Sequence, residues 1–427
     1  MNPEIIFFVM CMSAAGACVG MFSGLVPGIH VNTLASLMLI SYPFLDPLIS
    51  SFADASYVPV LLAACIVSAS VVHSFVSYVP SVFTGVPDQD SVMSVLPGHR
   101  LLLEGKGMAA VRASAAGSLI GGISAVAAAV PLQYLMLAGL DGYLRSVTAA
   151  VLMIAVAALI LSEDTGKKRW AALLIAVSGL MGCICMFMPV PFRGAVAGGD
   201  LLFPLLTGLF GVPVLITSPA DACIPEQEDD GTCNVSPAAG LKGVLTGSIV
   251  GWFPGITATA GAAFTRMFVR EDRPEGFIAL VSSIGTASAV FAIITLSVNG
   301  KGRSGTMIIV GEILGDSING VGSGTFMLML LSVSVALVIG YAAAVRSGKI
   351  MSAFISKVNV RKMNTVILAA ITVLVVLLTG LWGLAVLAIS ALIGLIPLNA
   401  GTGRVHLSGC LLVPVVLIQF GLDTLFL

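Results

Sequence analysis

Two stretches decide how this chain reads: Gly20-Met-Phe-Ser-Gly24-Leu-Val-Pro27-Gly28-Ile29 and Gly247-Ser-Ile-Val-Gly251-Trp-Phe-Pro254-Gly255-Ile256. Both spell G-x-x-x-G-x-x-P-G-I, and they lie 227 residues apart in a chain of 427. Proline removes a backbone donor and blocks continuation of the helix before it. Glycine permits the sharp change of direction that follows, and proline is well suited to open a new helix. Each stretch therefore predicts a broken helix or re-entrant hairpin, with a half-helix beginning near Ile29 or Ile256. G-x-x-x-G spacing by itself serves close helix packing, and the polar residues that follow each break would serve as caps. Neither explains why proline, glycine and polar followers recur together, so an internal duplication is expected.

Composition puts both stretches in a membrane. Hydrophobic residues make up 58% of the chain and charged residues 10%, against about 25% charged in soluble domains. Mean hydropathy is +1.07. Continuous apolar runs read as spanning helices, whereas a transmembrane barrel would show short alternating segments. Such runs fall near 5–25, 31–50, 57–84, 107–138, 145–162, 170–188 and 200–217, then 238–268, 275–298, 304–318, 322–345, 364–380, 382–397 and 405–426. The expectation is an all-α polytopic integral membrane protein of about 10–12 transmembrane helices. Its repeats would cover 1–220 and 237–427, joined by an acidic polar loop at 221–236. No Lys or Arg precedes the first apolar run, so that run reads as a membrane element and not as a secretory signal. The net charge of −1 offers no basic field for nucleic acid.

Orientation follows the Lys/Arg bias. The clusters Arg100/Lys106/Arg112, Lys167/Lys168/Arg169, Arg266/Arg270/Arg273 and Arg346 to Lys362 are placed in the cytoplasm, and the loop with Asp221, Glu226, Glu228, Asp229 and Asp230 outside. This would make at least one of the segments 170–188 and 200–217 re-entrant. Corresponding loops of the two halves then fall on opposite sides, as in the inverted-topology repeats of many secondary transporters. Six cysteines sit in apolar segments as small buried residues. Cys223 and Cys233 flank the acidic loop, and would pair if that loop met an oxidising exterior.

The chemistry lies at the breaks. The first N–H groups of a half-helix are unpaired and carry partial positive charge, which favours a carboxylate or phosphate. The expected substrate-contacting residues are Gly24, Pro27, Gly28, His30, Asn32, Thr33, His73 and Ser77 in the first half, and Pro254, Gly255, Thr257 and Thr259 in the second. His73 reads equally well as a satisfied core histidine. Asn299, Asp316 and Asn319 are expected to couple a cation, Na⁺ or H⁺; a loop between two spans is the other reading of Asp316. A buried carboxylate would need such a reason. Asn299-Gly300-Lys301 lacks P-loop spacing, Gly322-Ser323-Gly324 lacks a nucleophile-elbow frame, and no Cys/His spacing suggests a metal. Asp200 and Asp316, the one pair open to an aspartyl protease, carry no motif. No enzyme and no cofactor are expected.

The paired elements, with Thr84-Gly-Val-Pro-Asp88 and Leu96-Pro-Gly-His-Arg-Leu-Leu-Leu-Glu-Gly-Lys106, resemble the large membrane subunit of tripartite tricarboxylate transporters. The resemblance is closer to an archaeal-type branch described as a domain of unknown function. It implies cation-driven uptake of carboxylates across the cell membrane, helped by a small membrane subunit and an extracytoplasmic binding protein. It also implies that Pro27/Gly28 and Pro254/Gly255 line the substrate site. The chain departs from the family pattern at Gly300-Lys-Gly-Arg-Ser-Gly305, where a more apolar segment with a Gly-x-Pro-Gly-like turn is expected, and at His30 and His73. The alternative expectation is a translocator of an anionic lipid such as a polyprenyl phosphate. A homodimer in the lipid bilayer is compatible with either.

Overall fold

The computed structural model describes residues 2–26, 31–85, 92–161, 163–187, 201–217, 224–233, 235–253, 258–269, 271, 273–357 and 359–422. Their regular structure is helical: α1 (Pro3–Leu25), α2 (Val31–Ile40), α3 (Tyr42–Ser50), α4 (Val58–Val76), α5 (Tyr78–Thr84), α6 (Val92–Leu103), α7 (Gly107–Leu135), α8 (Asp141–Leu161) and α9 (Lys168–Phe187). The second half holds α10 (Leu202–Leu206), α11 (Val212–Thr217), α12 (Pro237–Trp252), α13 (Ala258–Phe268), α14 (Pro274–Asn299), α15 (Gly305–Leu314), α16 (Gly324–Ile355), α17 (Val360–Ala400) and α18 (Gly409–Gln419). Capping side chains open several of them. Asn2 accepts from the Glu4 N–H, Ser236 from Ala238, Ser304 from Met307 and Ser323 from Phe326, which satisfies N–H groups the helix leaves unpaired.

Seven stretches among the described residues are long and apolar enough to cross a bilayer: Pro3–Leu25, Ala55–Thr84, Gly107–Leu161, Lys168–Phe187, Pro274–Asn299, Gly324–Ile355 and Arg361–Ala400. Gly107–Leu161 and Arg361–Ala400 are 55 and 40 residues long, about twice what one crossing needs. Each breaks at a glycine with positive φ, Gly139 at 120° and Gly380 at 65°, so each supplies two crossings. With the shorter apolar helices Leu202–Thr217 and Arg404–Gln419, the architecture is the all-α polytopic one expected from sequence.

The core is built on backbone-to-backbone contact. A methyl group at Gly16 or Gly20 would strike the carbonyl of Cys65 or Ala69, and one at Gly24 would sit 3.1 Å from the His73 carbonyl. α1 thus lies parallel on α4. In the second half a methyl at Gly243, Gly247 or Gly251 would come within 2.6, 3.0 or 2.8 Å of the carbonyls of Leu280, Ile284 or Ser288. α12 lies on α14 in the same parallel manner, so the repeated packing element gains a third glycine in each half.

Other contacts fix the directions. α7 runs parallel to α14, with Gly117 against Ala279, Gly121 against Ser283 and Gln133 bonded to Ser297. α16 runs parallel to α4, with the Ser332 hydroxyl on the Ala64 carbonyl and Gly340 on Phe75. α7 and α16 are antiparallel, because Gly122 meets Leu337, Gly348 meets Val111 and Gln133 meets Gly320. Helices α1 and α4 therefore run opposite to α12 and α14. The halves also interlock: α4 packs on α1, α15 and α16, while α14 packs on α12, α6 and α7. α12 and α13 form an antiparallel pair, tied by Lys242–Glu271 at 2.8 Å, Thr246–Thr265 at 2.6 Å and Gly261 against Val250. The chain reverses between them, as a re-entrant hairpin does.

One placement read from sequence is corrected. The acidic loop does not lie opposite the basic clusters. Arg112 donates to both Asp229 carboxylate oxygens, at 3.0 and 2.9 Å, and Lys349 lies 3.7 Å from Asp229. Gln227 donates to the Leu102 carbonyl and accepts from the Gly107 N–H. The loop therefore shares the face of Arg100/Lys106/Arg112 and Arg346 to Lys362. Carboxylates orient a loop only weakly, and here direct ion pairs draw it to the basic side. No re-entrant turn in 170–188 is then needed, and α9 is a full crossing. Cys233 is a free, exposed thiol, while Cys223 lies outside the described residues. At the opposite face Arg145 pairs with Asp141 and donates to the Asn299 side chain at 2.7 Å.

Two outcomes follow. Valine at Gly16 or Gly243 should cost about 1–3 kcal/mol by overpacking, while valine at Gly142, which has open space, should change thermal unfolding in detergent little. Desolvation works to raise the Asp229 carboxyl, but the hydrogen bonds from Arg112 and the Gly231 N–H and the charges of Arg112 and Lys349 hold it below the usual carboxylate range. Its contribution is present above the ordinary value of about 3.9 and is lost as pH falls through the lowered value. Amide exchange in 224–233 should stay slow down to that range, and Asp229→Asn should speed it at neutral pH.

Candidate functional site

The site grows from the ends of the two broken helices. In the first half, Gly24 at the end of α1 lies close against α4, where a methyl group on it would stand 3.1 Å from both the His73 carbonyl and the Ser77 nitrogen. Gly24, His73 and Ser77 thus come together at the end of α1, three residues before Pro27 in the sequence. His73 is 4% exposed, and its Nδ1 is 2.9 Å from the Ser23 hydroxyl of α1, so it is a hydrogen-bonded histidine within the helix pair.

α2 resumes after the break, and Asn32 in its first turn reaches the other half of the chain. Its Oδ1 accepts from the Thr306 N–H at 3.0 Å and the Thr306 hydroxyl at 2.8 Å. A methyl at Gly305 would stand 2.8 Å from Asn32 Cγ, so glycine there is what lets α2 approach. Ser304 accepts from Met307 N–H at 3.2 Å. The N-terminus of half-helix α15 is therefore held by side chains from both halves.

The second half mirrors this with different chemistry. Thr295 on α14 donates to the Gly251 carbonyl at 3.1 Å, serving an acceptor at the end of α12 that lipid could not satisfy. Thr259, which corresponds to Asn32 by the repeat offset of 227, is buried at the start of α13. Pro27, Gly28, His30, Pro254, Gly255 and Thr257 lie outside the described residues, as do Asp88, Asp90 and the side chain of Thr33.

The residues expected to couple a cation fall into two sets. Asn299 accepts from Arg145. Asp316 accepts from Asn319 at 3.0 Å, and both are exposed on the turn between α15 and α16. Asp316 is thus a turn carboxylate, not a buried one: helix α15 ends before it, so it escapes the apolar interior. Among the described residues no group of three His, Cys, Asp or Glu could hold a metal ion.

Three features were missed in the sequence. Gln133 is fully buried and uses its whole amide: it donates to the Ser297 hydroxyl and the Gly320 carbonyl and accepts from the Gly322 N–H. Arg303, on the linker into α15, is half-buried and makes no ion pair within 4 Å among the described residues, although Asp141 and Arg145 stand close enough to act on its charge. Its signal was the basic Gly300-Lys-Gly-Arg-Ser-Gly305 itself, where apolar sequence was expected. Beside it, Asp141 Oδ1 and Trp252 Nε1 are buried without hydrogen-bond partners among the described residues; Trp252 packs with Met136 and Phe253, next to Leu144 and Val298.

Glycine-packed, proline-interrupted helices running in opposite directions, with half-helix ends gathered from both halves, define a multi-pass membrane protein of the transporter type. The chain belongs to the tripartite tricarboxylate transporter TctA family, which it matches over residues 10–409. It is 25% identical over 413 residues to an uncharacterized protein of Methanocaldococcus jannaschii, covering 94% of this chain and 96% of that protein. No solved structure matches.

Gln133→Leu should leave the Gly320 carbonyl and the Gly322 N–H unpaired and lower stability by about 1–3 kcal/mol. Thermal unfolding in detergent reads this.

Proposed function

We propose that this chain is the membrane carrier of a secondary transporter for a small organic anion, a carboxylate, driven by Na⁺ or H⁺. One observation carries the reading: the two glycine-packed broken helices run in opposite directions, in a chain of a tricarboxylate transporter family. Two halves of opposite direction are the architecture of alternating access about a shared site. Pro27, Gly28, His30, Asn32 and Thr33 in one half, and Pro254, Gly255, Thr257 and Thr259 in the other, would offer half-helix N–H groups and hydroxyls to the anion near the midplane. Gly24 would bring His73 and Ser77 beside the first tip.

Arg303 strengthens the case. A half-buried guanidinium without an ion pair among the described residues is a ready partner for a carboxylate, and a hydrogen bond to a charged group is worth about 1.5–3 kcal/mol. Helix ends add about 0.3–1 kcal/mol each. Asn299, Asp316 and Asn319 would serve a coupling cation at the outer mouth. The family's tripartite description supports a small membrane subunit and an extracytoplasmic binding protein as partners in the cell membrane.

The test is thermal stability of the purified chain against di- and tricarboxylates and polyprenyl phosphates, each with and without Na⁺ and at two pH values. A ligand that binds the folded state raises its stability by mass action. A carboxylate should raise the melting temperature in a cation-dependent way, and Pro27→Ala/Gly28→Ala and Arg303→Gln should each weaken that shift at least tenfold in apparent affinity. A shift with lipid phosphates alone would replace the carboxylate carrier with the lipid translocator.

A further inference from the structure

Away from the broken helices, a buried histidine meets a carboxylate where the α8–α9 turn touches the segment between α17 and α18. His406 is 0% exposed, and its Nε2 is 2.7 Å from Glu163 Oε2. The Gly403 N–H donates to the same oxygen at 3.2 Å. Desolvation works to raise the Glu163 carboxyl, but the hydrogen bonds from His406 and the Gly403 N–H and the charges of His406 and Lys167 hold it below its usual range. An ionised carboxylate only accepts, so Nε2 carries the hydrogen.

The other ring nitrogen is the informative one. Nδ1 is buried with no hydrogen-bond partner among the described residues. A bare Nδ1 leaves one weakly solvated acceptor unsatisfied; a protonated Nδ1 leaves a charged donor unsatisfied, which costs more. Loading a second proton demands a new acceptor for Nδ1, and so a shift of the turn that carries it.

That turn, Arg404–Ser408, packs on α9, α17, α18 and α8, and also on α13, the half-helix that follows Pro254-Gly255. The Ser178 hydroxyl of α9 donates to the His406 carbonyl at 3.4 Å. Among the described side chains, the titratable or charged groups around it are Glu163, Asp164 and Lys167 on the α8–α9 turn, Arg404 on its own turn and Cys410 on α18; the side chain of Arg266 on α13 lies outside the described residues. Lys167 is engaged elsewhere, donating to the Gly401 carbonyl at 2.8 Å and standing 3.7 Å from Asp164. Arg404 makes no ion pair among the described residues. Glu163 alone among them bonds to the ring.

We infer that the His406–Glu163 pair is a proton-binding site whose occupancy is passed to the half-helix behind the second break. One proton adds to Nδ1, the Glu163 carboxylate balances the imidazolium, and release returns the proton to the side that carries Lys167, Lys168 and Arg169. Its meaning as the coupling ion's site, with H⁺ as that ion, rests on the transporter reading above; the proton binding itself does not.

The experiment needs no substrate. Hydrogen–deuterium exchange of the purified full chain is followed from pH 8 to 5.5, corrected for intrinsic exchange, over 258–268 and 404–419. Wild type should show severalfold faster exchange in both segments as pH falls across this range. His406→Gln should be flat, Glu163→Gln flat or displaced to lower pH, Glu163→Asp close to wild type, and 274–299 unchanged in all. A flat wild-type profile, or one that persists in His406→Gln, overturns the proposal. Should His406→Gln not fold, ¹⁵N-histidine spectra of the wild type decide, since the chain has four histidines: a His406 ring that stays neutral down to pH 5 is the contrary result. Carboxylate binding at fixed pH can fail while this profile stands, so the two readings fall separately.

Discussion

A helix broken inside hydrocarbon leaves backbone groups that no water can reach, and the rest of this structure depends on covering them. Each unsatisfied group costs several kcal/mol in lipid, so a Pro-Gly break survives only where other protein closes over it. Here the helix leading to each Pro-Gly pair is held by a second helix in backbone contact. Gly16, Gly20 and Gly24 seat α1 on the carbonyls of α4, and Gly243, Gly247 and Gly251 seat α12 on those of α14. From that closeness come the side chains that finish the work: Thr295 on the Gly251 carbonyl and Asn32 on the Thr306 N–H.

The same constraint explains what a reader of the sequence could see. Proline and glycine impose their effects within a residue or two and apolar runs announce spanning helices, so the helical membrane class was legible from the sequence, as were the glycine seams that lead up to each Pro-Gly pair. The third glycine of each set also stood at the four-residue spacing, outside the motif. What stayed hidden came from distant contacts. Arg112 and Asp229 are 117 residues apart, and no local pattern announces that their ion pair holds the acidic loop to the basic face. Asp316 looked costly because it interrupts apolar sequence; the helix ends just before it and turns it to the surface. Gln133 reads as one polar residue in an alanine-rich helix until the 319–322 turn arrives to use it. Arg303 was noticed only as a departure from a family pattern, and its meaning needed the fold that leaves it without an ion pair among the described residues.

Function follows from where the polar groups were left. Among the described residues the interior is mostly apolar, with scattered hydroxyls and the side chains of Gln133, His73 and His406, and three groups of charges bear on the site. The outer end gathers Asp141, Arg145 and Asn299 near Arg303, the inner face gathers the acidic loop with Arg112 and Lys349, and His406 with Glu163 lies behind α13. In the proposed carrier, an anion drawn to the outer arginines would meet the half-helix ends next, and a proton held at His406 would act on α13 from the inner side. The two proposals thus share one moving part, the hairpin of α12 and α13.

The central claim is that the two halves are inserted in opposite senses. Asn2→Cys and Ser236→Cys, at the starts of α1 and α12, test it in a chain with its other cysteines replaced. A membrane-impermeant maleimide is applied to right-side-out and inside-out vesicles. The account predicts that Asn2→Cys is labelled from the outside and Ser236→Cys from the inside. Labelling of both positions from one side would contradict it.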